Sequence, residues 1–234
     1  MSDFAEVRRL VAAAAKKTYA DLRAENPGEQ FYAFALYDSD DATGPQVSAN
    51  SEEKFQELLA RHRRSYEKQG RRFGPREEAS YRWGTAEWWH EACSEARDFG
   101  PAYELLEEMS GEASGREAHP EFRAHAFAAM IGALCDLDRD GVFGVGAARE
   151  AITLFVSISD SADAEWLERE SARLANPPAV FARFEREALA PPPEPNAESS
   201  GADRFAWDRY QRELATPPGE TYKAFMGLVA SWGG

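Results

Sequence analysis

Apolar residues recur every three or four positions over several long stretches of the chain, and this spacing is typical of amphipathic helices. In 3–25 the apolar stripe is accompanied by a run of alanines, which favours helix further. In the second such stretch, Asn50 and Glu53 are spaced like a capping box at a helix start. The pattern predicts seven helices, over 3–25, 50–66, 85–97, 102–109, 120–137, 161–174 and 180–184.

Four shorter stretches have the β-branched and aromatic residues of strands. They are 31–37, 46–49, 81–83 and 151–158. The first and last are apolar on both faces, which indicates strands buried within a sheet. The turn at 38–45 predicts that 31–37 and 46–49 form a hairpin. We therefore expect an α+β (or α/β) fold with a small central β-sheet flanked by several helices.

Aromatic residues concentrate at one predicted corner of this fold. The segment 81–89 reads Tyr-Arg-Trp-Gly-Thr-Ala-Glu-Trp-Trp, with Gly84 ending a strand and Thr85 placed to N-cap a helix. Phe99-Gly100-Pro101 is predicted to break the chain after that helix. We expect a structural aromatic cluster at the corner, composed of Tyr81, Trp83, Trp88 and Trp89.

A change in composition divides the chain near residue 190. Residues 190–202 are rich in proline and serine and have no periodic pattern, which is typical of a linker. Two further apolar stripes follow within 203–234. The sequence predicts a single domain over 1–189, a linker over 190–202, and a helical tail over 203–234 that docks on the domain.

The charge balance limits the classes of partner. The 234 residues include 27 Lys and Arg against 41 Asp and Glu, a net charge of -14. Such a protein is repelled by nucleic acid and by anionic membranes. The N-terminus lacks the apolar core of a signal peptide, and no apolar stretch approaches the roughly 20 residues of a membrane span. We expect a soluble, cytoplasmic protein that binds neither nucleic acid nor membrane.

Acidic residues dominate the segment that follows the tryptophans. Between Glu87 and Glu121 there are ten acids and two arginines. On the predicted helix 85–97, the polar face would carry four candidate binding residues: Glu87, His90, Glu91 and Glu95. Two interpretations remain open: a solvated helix face, and a surface for a basic partner.

A local exception to the acidity lies at 61–76. Seven arginines and lysines fall there against one acid, Glu67. A solvated helix end with its loop is the simpler interpretation. A patch for phosphate or for an acidic partner is the alternative.

Motifs for metals, cofactors and catalysis are weak. Asp136, Asp138 and Asp140, followed by Gly141, resemble the start of a calcium-binding loop, but position twelve is Ala147 instead of glutamate. We therefore expect no metal site there. No dinucleotide, phosphate-loop or serine-hydrolase motif is present, so we expect no cofactor. The two cysteines, Cys93 and Cys135, have no spacing that suggests a disulfide, and we expect free, unreactive thiols.

Three segments together resemble a known bacterial family. They are 31–37 (Phe-Tyr-Ala-Phe-Ala-Leu-Tyr), 81–88 with its Tyr-Arg-Trp-x-x-x-Glu-Trp element, and 137–144 with Arg149-Glu150 before a strand. The chain is similar over about 3–188 to the domain-of-unknown-function family numbered 4303. The resemblance implies architecture and supplies no catalytic residues. It also implies an association with toxin-immunity settings.

Three classes of function follow. The first is a protein-binding module, such as an immunity-type inhibitor that covers a basic toxin with its acidic face. The second is an enzyme that uses Glu87, His90 or Glu91 beside the tryptophan cluster. The third is a structural protein without a ligand.

Overall fold

A three-stranded sheet lies between two groups of helices. The computed structural model describes residues 2–233 except 91–95, 113–119, 160, 162, 190, 193, 197–198, 200 and 216–218. The strands are β1 (Phe31–Asp38), β2 (Gln46–Ser51) and β3 (Thr153–Ile158). In the described part the helices are α1 (Ser2–Glu25), α2 (Glu52–Lys68), α3 (Pro75–Trp83), α4 (Ala96–Glu112), α5 (Pro120–Arg139), α6 (Ala147–Ala151), α7 (Ala164–Ala175), α8 (Pro178–Ala188), α9 (Gly201–Ala215) and α10 (Glu220–Val229). The predicted α+β class is confirmed.

The sheet has the order β2-β1-β3. β1 pairs antiparallel with β2, with Tyr37 opposite Gln46, so the predicted hairpin is present. β1 also pairs parallel with β3, with Ala33 opposite Thr153. The central position of β1 agrees with its apolar residues on both faces.

β3 lies at an edge of the sheet, although all six of its residues are buried. Side chains of α7 and the residue after it occupy that edge. Ser171 Oγ accepts a hydrogen bond from Val156 N at 2.8 Å. Asn176 Oδ1 accepts one from Leu154 N at 2.9 Å, and Asn176 Nδ2 donates to Leu154 O at 2.6 Å. These side chains satisfy backbone groups that would otherwise need another strand, because buried N–H and C=O groups must be paired.

One face of the sheet is covered by α1, α4, α5 and α10, which we call the alanine-rich layer. Phe34, Leu36 and Val156 point into it, and α5 contributes six buried residues that are alanine or glycine. The small residues let helices approach closely. A Cβ placed on Gly132 of α5 would lie 2.8 Å from the Arg8 guanidinium of α1. Arg8 in turn makes two hydrogen bonds of 2.6 Å to Asp136 of α5.

The other face is covered by α2, α3 and α8, which we call the aromatic layer. Its buried side chains include Phe55, Trp83, Trp88, Phe155 and Phe184. Neighbouring rings meet edge to face or tilted, with Trp83 and Phe184 centroids 5.0 Å apart. Large rings therefore fill this layer, where the opposite layer uses close helix contacts.

The predicted strand 81–83 is wrong, because these residues form the last turn of α3. Pro75 begins the helix and Glu77 accepts a hydrogen bond from Gly74 N at 2.9 Å, which caps it. The helix ends at Gly84, where a Cβ would lie 2.7 Å from Ser80 O. A run of three residues such as Tyr-Arg-Trp fits a strand or a helix equally, and the start signals at Gly74 and Pro75, seven and six residues before Tyr81, decide the outcome.

The predicted helix 85–97 is wrong over 85–90, and 91–95 lie outside the described residues. Thr85–Glu87 form a 3-10 turn, and His90 makes an antiparallel bridge with Ala49 of β2. The Thr85 hydroxyl lies 3.4 Å from Ser157 Oγ and makes no capping hydrogen bond. Pairing with the edge of the sheet therefore favours an extended conformation at His90.

Two further predictions at helix ends differ from the structure. α4 continues through Gly100-Pro101, where we predicted a break. Burial of Phe99, Ala102 and Leu106 offsets the helix-breaking tendency of proline, which is about 3 kcal/mol. At α2, Ser51 is the N-cap and accepts from Lys54 N at 3.2 Å, whereas Asn50 donates to the Tyr32 hydroxyl.

The C-terminal helices make unequal contacts with the rest of the chain. α10 packs against α5, with Phe225 buried and its ring centroid 5.2 Å from that of Trp166. α9 has an ion pair of 3.6 Å from Asp203 to Arg76, and its Phe205 is exposed. None of the described helices is long and apolar enough to cross a membrane.

Candidate functional site

Two rings packed around 81–89, the segment that we call the aromatic corner, are joined by hydrogen bonds to one backbone carbonyl. Arg82 O accepts hydrogen bonds from the Tyr32 hydroxyl at 2.6 Å and from Trp88 Nε1 at 2.9 Å. Trp83 and Trp88 are almost fully buried, at 7% and 3% exposure. Tyr32 and Trp88 therefore keep their polar tips hydrogen-bonded, whereas Trp83 Nε1 is buried without a hydrogen-bond partner among the described residues. These two tryptophans therefore belong to the core of the aromatic layer.

The other two members of the predicted cluster lie differently. Tyr81 is partly buried and stacks between His62 and Phe73. Trp89 is half exposed, and the Lys54 ammonium lies 4.6 Å from its ring centroid. Trp89 is thus a surface residue that makes a cation–π contact.

Glu87 lies at the rim of a shallow, open pocket on the aromatic layer. Tyr66, Arg76, Glu77, Ser80 and Tyr81 line the rest of it. Desolvation raises the pKa of the Tyr81 hydroxyl, with smaller contributions from Tyr66 and Glu87. This tyrosine is therefore a weaker acid than usual, which does not favour it as a proton donor or nucleophile near neutral pH.

His90 does not lie on the solvated helix face that we predicted. Its side chain and that of Glu29 are only 11% and 12% exposed, and Nε2 is 3.0 Å from Glu29 Oε2. Its ring also packs 5.4 Å from the ring of Phe31. The bridge between His90 and β2 explains this position. Glu87 and His90 consequently face different neighbours, and Glu91 and Glu95 lie outside the described residues.

The outer face of α4 carries the acidic surface within the described residues. Phe99, Ala102 and Leu106 are buried against the alanine-rich layer. Three carboxylates within about one turn, those of Glu104, Glu107 and Glu108, are exposed on the opposite side. We call these three residues the α4 acidic face. No described lysine or arginine forms an ion pair with them.

Arginines bind two of the three aspartates in the segment that resembles a calcium-binding loop. Asp136 binds Arg8 and also Arg139, at 2.8 Å. Asp138 pairs with Arg149, which is buried and also donates to Ala175 O at 2.8 Å. The Arg8 hydrogen bonds lower the pKa of Asp136. Among the described residues, no three His, Cys, Asp or Glu side chains are grouped closely enough to hold a metal ion.

Sequence reasoning missed two carboxylates, of which Asp38 is buried and Glu168 is partly buried. Asp38, at the end of β1, is fully buried, and its Oδ2 has no hydrogen-bond partner in the described part. Burial raises its pKa from 3.8 to about 7, against hydrogen bonds from Gly44 N and Ser39 N that lower it. Glu168 of α7 accepts a hydrogen bond of 2.6 Å from Ser157, and burial raises its pKa from 4.5 to about 7.

No sequence pattern singled out either carboxylate. Asp38 follows an apolar strand as turn residues commonly do, and Glu168 occupies a helix rich in charged residues. Their surroundings depend on the tertiary fold. The turn after β1 brings Gly44 N to Asp38, and the 3-10 turn at Thr85 lies against Ser157, which donates to Glu168. The two lie in different surroundings. Asp38 is near Tyr103 of α4, and Glu168 is linked to Thr85 through Ser157.

Cys135 is free, as predicted, and its Sγ lies 3.6 Å from Leu174 O. Burial raises the pKa of this thiol, which keeps it protonated and unreactive near neutral pH. Cys93 lies outside the described residues.

Comparison with known proteins bears on the resemblance noted from the sequence. No curated protein and no solved structure matches the chain. The family described as "Domain of unknown function (DUF4303)" matches residues 11–177, a range that includes β1, β2, β3 and the aromatic corner. The chain therefore belongs to the DUF4303 family.

Proposed function

We propose that this protein is a binding module for a basic protein partner, and that the α4 acidic face is its docking surface. An immunity-type inhibitor that covers a basic toxin is the specific form of this proposal. The observation that carries it is the unpaired state of Glu104, Glu107 and Glu108 within the described residues.

The contrast with other charged residues supports this choice. Many carboxylates elsewhere meet arginines or lysines: Glu52 binds Arg82 at 2.5 Å, and Asp163 binds Arg123 at 2.8 Å. The three α4 carboxylates have no such cation from the described chain. They present full negative charge to an approaching partner, which favours electrostatic steering of a basic one.

The placement of these acids also costs stability in the free protein. Glu104 and Glu108 are four residues apart on one helix face, where like charges repel by a few tenths of a kcal/mol. Glu107 and Glu108 lie toward the C-terminal end of α4, whose last turn has no basic residue. Negative charge at that end opposes the helix dipole. Cations from a partner would relieve both penalties.

The geometry around the predicted catalytic residues supports binding over catalysis. His90 is engaged with Glu29, and Glu87 points to a shallow pocket with a different set of neighbours. A general base needs a proton-transfer partner within about 3 Å, and the pair does not converge on a common group.

A pull-down from the source cell tests the proposal, with the product of the adjacent gene examined separately. The wild type is compared with a triple variant, Glu104→Lys, Glu107→Lys and Glu108→Lys. The control triple is Glu57→Lys, Glu165→Lys and Glu185→Lys, which reverses three exposed acids that already pair with Lys54 or Arg169. Both triples change the net charge equally.

We expect a basic partner to be retained by the wild type and by the control triple at low salt, and lost from the α4 triple. Retention should also weaken at high salt, because the Debye length falls from about 10 Å at 0.1 M to about 3 Å at 1 M. Equal retention by both triples would show that another surface binds. For the immunity form, co-expression with the adjacent gene product should restore growth only when the α4 acidic face is intact.

A further inference from the structure

The aromatic layer carries a basic surface that the acidic docking face does not explain. Its cations lie in the second half of α2, in the loop before α3 and in the first turn of α3. They are Arg61, Arg63, Arg64, Lys68, Arg71, Arg72 and Arg76, and all seven are exposed. We call this surface the basic corner. Arg63 pairs with Glu78, and Arg76 pairs with Asp203. Arg61, Arg64, Lys68 and Arg72 pair with no acid among the described residues.

Three of the unpaired cations form a row on one helix face. Arg61, Arg64 and Lys68 are three and four residues apart, so their side chains leave α2 within a narrow angle. The row is about 10 Å long, since a helix rises about 1.5 Å per residue. Like charges this close repel, and an anionic partner would remove the repulsion.

A turn that depends on Gly70 follows the end of α2 and holds Arg71 close to the helix. Gly70 has φ 65°, Gly70 N donates to Glu67 O at 2.9 Å, and Arg71 N donates to Tyr66 O at 2.8 Å. This is the Schellman motif, which reverses the chain after a helix. It returns Arg71 toward the helix, where its guanidinium lies 4.3 Å from the Tyr66 ring centroid.

Stacked rings hold the base of the corner in place. Tyr66 meets Phe73 at 5.2 Å, Phe73 stacks on Tyr81 at 5.9 Å, and Tyr81 stacks on His62 at 4.1 Å. Arg71 lies over the Tyr66 ring and Arg63 lies 5.5 Å from the Phe73 ring centroid, so these two side chains have less freedom than an unsupported arginine. Less side-chain entropy is then lost when a ligand is bound.

The helix dipole accounts for only part of this charge. A cation in the last turn, such as Lys68, is favoured there. Arg72 lies beyond the helix, and Arg61 lies about two turns before its end, so neither gains appreciably. The effect falls off within one turn.

We propose that the basic corner is a second interaction surface, which binds an acidic polypeptide segment. Guanidinium groups pair with carboxylates in a bidentate fashion, and a row about 10 Å long matches a few closely spaced carboxylates. A nucleic acid is disfavoured because its long phosphate backbone would extend past the corner into the field of a protein with net charge -14.

Fluorescence anisotropy with a labelled deca-glutamate peptide tests this proposal on the full chain. The variant combines Arg61→Ala, Arg64→Ala and Lys68→Ala. The control combines Arg9→Ala, Arg173→Ala and Arg186→Ala, three exposed arginines paired with Glu6, Glu170 and Glu187. Far-UV circular dichroism melts check that both variants fold.

We expect saturable binding by the wild type at low salt, about tenfold weaker binding by the basic-corner variant, and less than about twofold change in the control. No binding by the wild type would overturn the proposal, as would equal losses in both variants. A deca-thymidylate strand that binds more tightly than the peptide at the same salt would assign the corner to nucleic acid instead.

Discussion

Two layers of helices cover opposite faces of one sheet, and they fill their space by different means. In the alanine-rich layer small residues let a side chain of one helix lie directly against the backbone of another, as the Arg8 guanidinium does at Gly132. The aromatic layer fills its space with large rings, and the polar tips of Tyr32 and Trp88 converge on Arg82 O. The comparison teaches that the first layer should tolerate added volume poorly, whereas the second should tolerate lost volume poorly.

Truncation in the aromatic layer should have the largest effect. Trp83→Ala removes a buried ring that contacts Tyr32 and Phe184, and such truncations cost about 3–5 kcal/mol. This is a large fraction of a typical unfolding free energy of about 5–15 kcal/mol. Urea denaturation should show the loss as a lower midpoint with an unchanged slope.

The matched change in the alanine-rich layer is Ala133→Leu, which adds volume at a fully buried site on α5. Overpacking costs about 1–3 kcal/mol. If Ala133→Leu were neutral while Trp83→Ala destabilised, the alanine-rich layer would have room that close helix packing does not allow. A wild-type midpoint for Trp83→Ala would contradict the structural role of the aromatic corner.

Two carboxylates with raised pKa values make the stability of the protein depend on pH. Asp38 and Glu168 have folded-state pKa values raised to about 7, so the folded state holds protons that the unfolded state has released. Their contribution to stability is therefore present at about pH 4 and is lost as pH rises toward about 7. Asp38→Asn should be more stable than the wild type at pH 8, by up to about 4 kcal/mol because each unit of pKa shift is worth about 1.4 kcal/mol, and similar to it near pH 4.

Glu168→Gln should show the same sign with a smaller gain, because the rise from its ordinary pKa is smaller. Thermal melts of both variants and the wild type at intervals from pH 4 to pH 8 give the comparison. A constant difference between wild type and Asp38→Asn across this range would mean that Asp38 is ionised throughout and has a partner.

The smallest expected effect concerns the acids of α4. Glu108→Gln removes a negative charge near the C-terminal end of the helix and should stabilise the free protein by about 0.3–1 kcal/mol. Glu220→Gln makes the same change in the first turn of α10, where the charge is favourable and pairs with Lys223. It should destabilise slightly. Chemical denaturation at low ionic strength resolves the two signs, and equal signs would remove the dipole argument.

Long patterns were predicted well and short ones were not. α1, β1, α5 and β3 rest on extended apolar runs or stripes, and each lies within two residues of the predicted bounds, although Ala151, predicted as strand, ends α6. The prediction for 81–90 was wrong because a stretch of a few residues can form either a strand or a helix. Contacts with distant residues determine which of the two it forms. Contact with Ala49 drew His90 to the sheet edge, and the start signals at Pro75 extended α3 to Trp83.

The candidate sites were less predictable because they depend on distant pairing. The acidity of α4 is visible in the sequence, but the absence of described cations near Glu104, Glu107 and Glu108 follows only from how α1 and α4 pack. Asp38 gave no signal, since its burial depends on the turn that closes at Gly44. The basic stretch at 61–76 was visible, whereas its ring platform required the contact between α2 and α3.

Ser171 and Asn176 at the outer edge of β3 have a consequence for how the chain avoids aggregation. An open strand edge is a template on which another polypeptide, or a second molecule of the same protein, can add a strand. Here two side chains engage backbone groups of Leu154 and Val156 on that edge. A small sheet with an apolar edge strand can therefore remain within one molecule, and replacing Ser171 and Asn176 by alanine would expose it to fibril growth.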